Sequence, residues 1–137
     1  MTFARWTVSY PIDPTAPEVL AQVAAPRYQA AALNGLDQYG RTLNAAGYTS
    51  AGTTPGAANQ YRIQSTNQDQ TSMTLDLIVN RQSTTEAGRV DTVQGFITLV
   101  LDLVDGHWQV FGSPPVLSAD PFAPDAGAPW IPYVGTC

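Results

Sequence analysis

The hydrophobic period of this chain changes once, and that change governs what it can fold into. Up to about residue 46 apolar side chains recur at helical spacing; from Tyr61 to Gly112 they alternate with polar ones. Helices first and consecutive alternating strands afterwards predict an α+β domain, with N-terminal helices packed on one face of a curved antiparallel sheet of about four strands. In the first part, Phe3, Trp6 and Tyr10 predict a short helix that ends before Pro11. A second helix starts at Asp13-Pro14 or at Thr15 and carries Val19, Leu20, Val23 and Ala24 as its stripe until Pro26 breaks it. From Arg27 to Ala46 a longer helix puts Tyr28, Ala31, Ala32, Leu36, Tyr39 and Leu43 on one face, and Gly47 is its stop.

Residues Tyr48 to Ala58 read as a loop from their Gly, Ser, Thr and Pro content. Four alternating runs follow. Tyr61, Ile63 and Ser65 oppose Arg62, Gln64 and Thr66; Met73, Leu75, Leu77 and Val79 oppose Thr74, Asp76, Ile78 and Asn80. Val93 to Leu103 gives the strongest alternation, and the tight-turn pair Asp105-Gly106 leads into Trp108, Val110 and Gly112. Residues 81–91 read as a polar hairpin connection. The rest, residues 117–137, is a Pro-rich tail following a domain of residues 1–116. It is too rich in proline for regular structure, and Phe122, Trp130, Ile131 and Tyr133 are anchors with which it wraps the domain, the alternative being an arm that docks on a partner.

Only 12% of the 137 residues are charged, the six cations are all Arg, and the net charge is −5. Arginines scattered singly form no patch that neutralises several phosphates, so nucleic-acid binding is not expected. The absence of Lys with abundant Ala, Thr, Gly and Pro suggests the GC-rich coding bias of actinobacteria. No stretch has the ~20 consecutive apolar residues of a membrane span, and the start lacks a signal-peptide pattern. The abrupt apolar opening Phe3-Ala4-Arg5-Trp6 suggests a fragment excised from a longer protein. The lone Cys137 forms no internal disulfide and reads as an inert or intermolecular thiol.

The long apolar strand that runs into Leu103-Val104-Asp105-Gly106-His107-Trp108-Gln109-Val110 resembles the hairpin-plus-Trp strand that closes many domains of the NTF2-like superfamily. The stretch from Ala4-Arg5-Trp6 through Pro17-Glu18-Val19-Leu20-Ala21 to Ala25-Pro26-Arg27-Tyr28 resembles the first helices of the extracytoplasmic domains of VirB8- and TcpC-type conjugation proteins. The resemblance covers residues 3–116. It implies a cone-shaped fold and a non-enzymatic, self-associating interaction domain of a membrane-anchored conjugative transfer, or type IV secretion, component. Its partners would be other subunits of that complex, its place the extracytoplasmic side of the membrane, and its anchor a segment absent from this chain. The Pro-rich tail departs from the pattern.

Enzymatic members of that superfamily, such as ketosteroid isomerases and SnoaL-like enzymes, place acid and base groups inside the cone. Here His107 follows a turn dipeptide, where an exposed imidazole is the ordinary outcome. Asp76 and Asp102, with Arg62 on a third strand, form the alternative polar cluster: in a partly apolar cavity they would act as acid and base, and otherwise they are an ion pair or face solvent. One His and one Cys supply no tetrahedral metal site, no Gly-rich loop carries the Lys of a phosphate cradle, and no Gly-x-Ser-x-Gly occurs, so neither metal nor cofactor is expected. The face bearing Thr74, Ile78, Phe96, Thr98, Val100 and Phe111 mixes apolar and hydroxyl groups. It reads as a ligand cavity, a surface covered by the tail, or a subunit-pairing face, with Ile78, Phe96, Val100 and Phe111 as candidate contacts. The expected function is protein interaction, the alternatives being a small-molecule binder or enzyme using the sheet cavity, and a phage or surface structural protein.

Overall fold

The computed structural model describes residues 9–54, 59–113 and 129–133. Two helices, α1 (Ala16–Val23) and α2 (Pro26–Ala45), precede β1 (Tyr48–Thr53), β2 (Asn59–Thr66), β3 (Ser72–Thr85), β4 (Val90–Val104), β5 (His107–Gly112) and β6 (Ile131–Tyr133). All strand pairs are antiparallel, in the order β5-β4-β3-β2-β6, with β1 also on β3. The fold is α+β: two helices on an open six-stranded sheet. Of the helix predicted from Phe3, Trp6 and Tyr10, residues 3–8 lie outside the described residues, and Tyr10 is not helical but bridges Ala51 through paired backbone bonds of 2.9 and 2.8 Å.

The helix boundaries follow local chemistry. Asp13 accepts from both the Thr15 amide, at 2.8 Å, and the Thr15 hydroxyl, at 2.7 Å, which closes the turn before α1 and leaves Thr15 at the N-cap without capping through its own side chain. Pro26 separates the helices by forcing Ala25 out of helical conformation (φ −58°, ψ 140°), yet it occupies the first turn of α2, where its missing N–H costs nothing. The freed Ala25 amide donates to the Val110 carbonyl at 2.9 Å, and Ala24 bridges Val110, so the α1–α2 junction docks against the outer edge of β5. Gly47, at φ +81°, ends the α2 turn in a conformation L side chains avoid.

The core has two parts. Leu77, Val79, Leu99 and Val110 form the sheet cluster; Ala16, Leu20, Ala24, Ala32 and Leu36 form the helix cluster; Tyr28 packs against both. Each fully buried Leu or Val contributes about 1.5–3 kcal/mol relative to exposure. Burial also pushes the Tyr28 hydroxyl above its usual pKa, against a smaller lowering from its hydrogen bond with Ser113. Ala31, expected on the packed face of α2, is exposed.

Two strands exceed the four expected, and both arise from sheet edges rather than from hydrophobic period. β3 is so long that β2 covers only Met73–Ile78 along one side, and Arg81–Thr85 require another partner. The segment expected as a loop supplies it: β1 pairs Thr53 with Arg81 and Tyr48 with Thr85. In the tail, β6 pairs Ile131 with Tyr61 and Pro132 with Gln60, and proline is tolerated in such an outer strand. The connection expected over residues 81–91 shrinks to 86–89, closed by Thr85 to Arg89 and Gly88 to Thr85 backbone bonds of 2.9 Å. Asp105 and Gly106, at φ +50° and +79°, make the tight β4–β5 turn.

Candidate functional site

The pairing register sorts the side chains onto two faces. The helix-bearing face carries Tyr61, Leu75, Leu77, Val79, Ile97, Leu99 and Leu101, and the reverse face carries Arg62, Asp76, Thr98, Ile78 and Phe96. Asp76, Leu77, Ile78 and Val79 are all buried in the middle of β3, so both faces of the sheet are covered there.

On the reverse face, Arg62 stands opposite Asp76, and Asp76 opposite Thr98. The Arg62 Nε donates to Asp76 Oδ2 at 2.9 Å, and the Thr98 hydroxyl donates to Oδ1 at 2.8 Å. Gln64 supplies a third donor, from Nε2 to Oδ2. It reaches the carboxylate because β2 bulges between Ile63 and Ser65: Ile63 pairs with Leu75, Ser65 with Thr74, and Gln64 is the extra residue. The bulge also reverses the alternation, moving Ser65 to the side of Thr74 rather than that of Tyr61 and Ile63. The pair is shut in, with Arg62 2% and Asp76 0% exposed.

Trp130 lies over this network. Its ring centroid is 4.4 Å from the Arg62 guanidinium carbon, and it meets Phe96 edge-on at 5.9 Å and 87°. A desolvated guanidinium on an indole face gains about 2 kcal/mol. Trp130 directly precedes β6, so this stack and the β2–β6 pairing together hold the tail strand to the sheet.

Of the predicted polar cluster, the fold brings Arg62 and Asp76 together and leaves Asp102 out. Asp102 pairs with Ser72 and Gln109, four residues along β4 from Thr98, which at the rise of a strand is roughly 13 Å away. Alternation placed Asp76 and Asp102 on one face, but it says nothing about distance along a strand. Of the predicted contact residues, Ile78 is buried at 5% exposure, Phe96 packs on Trp130, and Val100 is half-buried opposite Thr74 and Gly112. Phe111 sits at the β4–β5 bulge, with the Arg27 guanidinium carbon 4.5 Å above its ring. His107 is exposed beside the β4–β5 turn. Among the described residues no group of three His, Cys, Asp or Glu is arranged to hold a metal ion, and no helix is long and apolar enough to cross a membrane.

A second, polar cluster lies at the opposite end of the helix-bearing face. Arg81 donates from Nη1 to the Tyr39 hydroxyl at 2.9 Å, while its Nε and the hydroxyl of Ser83, two residues on, are buried without a hydrogen-bond partner. Beyond them Tyr48 donates to Asp91 at 2.7 Å, and Arg89 pairs with Asp91 at 2.9 Å. These bonds, that from Tyr48 foremost, hold the Asp91 carboxyl below its ordinary pKa.

The feature that sequence reading missed is on the helix-bearing face itself. Among the described residues the helices contact β1 and β5, and large apolar side chains farther along this face stay exposed. There Leu103 pairs with Trp108, at 37% and 39% exposure, and Ile63 on β2 is 40% exposed. Half-buried Met73, Leu75 and Leu101 fill the space between, making one apolar tract roughly 20 Å from Ile63 to Trp108 by strand geometry. Alternation puts these residues on the apolar face of their strands; only the placement of the helices shows which part of that face is packed. Neither the family models, the curated proteins nor the solved structures offer a match to this chain.

Proposed function

We propose that the chain is a non-enzymatic interaction domain that works by docking another protein. The observation that carries this reading is the exposed tract of Ile63, Leu103 and Trp108: three large apolar side chains on a sheet face are costly in water and gain by being covered. The polar network supports the same reading. Both oxygens of Asp76 are engaged by internal donors beneath Trp130, an arrangement that fixes structure rather than one that exchanges protons with a substrate.

The finer part of the proposal is an NTF2-like cone acting as the extracytoplasmic domain of a membrane-anchored conjugative transfer component. It draws on the order of elements, two helices and then a meander ending in the Asp105-Gly106 hairpin and Trp108. The test is fractionation of the full native reading frame in its host, with protease added to cells stripped of wall and a photo-crosslinking residue placed at position 108. Sedimentation with membranes, cleavage from outside and adducts to a membrane-complex subunit are expected. A soluble, protease-protected product would overturn the transfer-channel reading, and an absence of protein adducts would overturn docking through this tract.

A further inference from the structure

The charge around the apolar tract is one-sided. The β2–β3 turn and the β4–β5 turn lie at the same end of the sheet, tied by the Leu103 amide donating to the Thr71 carbonyl at 2.7 Å. Asp69 stands in the first turn, Asp105 in the second, and Asp102 nearby on the reverse face; none of the three is in an ion pair. Every described arginine is committed elsewhere: Arg27 over Phe111, Arg41 with Asp37, Arg62 with Asp76, Arg81 on Tyr39 and Arg89 with Asp91. Among the described residues this end of the sheet therefore presents exposed apolar side chains beside two turn carboxylates, Asp69 and Asp105, and no arginine.

We infer that the occupant of this tract is a basic amphipathic segment of another protein, with apolar side chains on Ile63, Leu103 and Trp108 and Lys or Arg facing Asp69 and Asp105. The inference rests on the docking reading above and specifies its partner. Charge decides against a second copy: two such ends face to face would bring like charges together around a desolvated contact, and like-charge juxtaposition is unfavourable at an interface. A cationic segment reverses that sign, and steering makes its capture salt-dependent. Trp108, large and part-exposed next to Leu103, has the character of a binding anchor.

The test uses a fluorescein-labelled Leu/Lys amphipathic peptide and the same peptide with Glu in place of Lys, followed by anisotropy on the whole chain. The Lys peptide should bind, weaken several-fold on raising the salt, and lose at least tenfold in affinity with Trp108→Ala or Leu103→Gln. Asp69→Asn with Asp105→Asn should weaken it at low salt and leave little difference at high salt; Asn tolerates the positive φ of position 105 as Asp does. Unchanged far-UV circular dichroism and thermal midpoints separate lost contact from lost fold. Equal binding of the Glu peptide, indifference to these substitutions, or no binding overturns the inference. So does sedimentation showing a dimer that Trp108→Ala dissociates, which makes the occupant a second copy. Failure here alongside membrane-subunit adducts at position 108 overturns only the basic character of the partner and leaves the docking reading intact.

Discussion

Removing one member of the buried pair while the other stays in place is the sharpest perturbation this fold offers. In Asp76→Asn the volume is kept, but the charge is lost and three donors converge on a side chain with one acceptor oxygen. Arg62, 2% exposed beneath Trp130, then keeps its charge while the carboxylate that balanced it is gone. Breaking such a pair typically costs about 3–5 kcal/mol, out of a total stability of about 5–15 kcal/mol for a domain. For a chain of this size, at about 3 °C per kcal/mol, that is a drop of roughly 10–15 °C in Tm. Arg62→Met should also destabilise, since it removes the counter-charge of a buried carboxylate and leaves it to the Gln64 and Thr98 donors. The double variant Arg62→Met, Asp76→Leu removes both desolvation penalties and should return to within about 1 kcal/mol of the parent. Urea titration by far-UV circular dichroism, with the slope held constant across the four proteins, measures the cycle. Single variants costing less than about 1 kcal/mol, or a double variant as poor as the sum of its parts, would refute the account of this pair as a closed structural unit.

Other outcomes follow from single positions. Asp102→Asn should change stability by no more than about 0.5 kcal/mol in the same titration, because its carboxylate takes no part in the Asp76 network. Ser83→Ala should stabilise by up to about 1 kcal/mol, since it removes a buried hydroxyl that lacks a partner, and differential scanning calorimetry would show it as a raised Tm. Gly35→Ala should gain about 0.5–1 kcal/mol through helix propensity, its Cβ meeting nothing within 4 Å. Gly40→Leu should instead destabilise, because Tyr10 and Ile12 already lie 3.5 and 3.6 Å from a Cβ at that position. Asp13 and Asp91 both ionise below 3.8 in the folded chain, held by hydrogen bonds from Thr15 and, foremost, Tyr48. The unfolded chain thus binds the more protons in acid. Their contribution is complete above about pH 5 and is lost as the pH falls below 3.8 through the folded values. Tyr48→Phe should flatten that acid dependence in urea midpoints measured across the range.

Local chemistry alone determined much of this protein. Apolar period placed both helices and the four strands β2 to β5, and Pro26, Gly47 and Asp105-Gly106 marked their ends, because a fixed φ, a tolerated positive φ and a missing N–H act within a few residues of where they occur. The α+β class follows from the order of those elements. What tertiary structure decided involves pairs far apart in the chain. β1 is a strand because the far half of β3 needs backbone partners, although its Ser, Thr and Gly residues read as loop. β6 exists because β2 has an outer edge and Trp130 finds the Arg62 guanidinium. Arg62 and Asp76 meet while Asp102 does not, because register fixes distance along a strand and alternation fixes only the face. The open apolar tract is the same kind of result. Leu103, Trp108 and Ile63 carry the pattern of core residues, and they are exposed because α1 and α2 dock near β1 and β5 and end before reaching them. A hydrophobic pattern records which face a side chain takes, and only packing determines whether another element arrives to cover it.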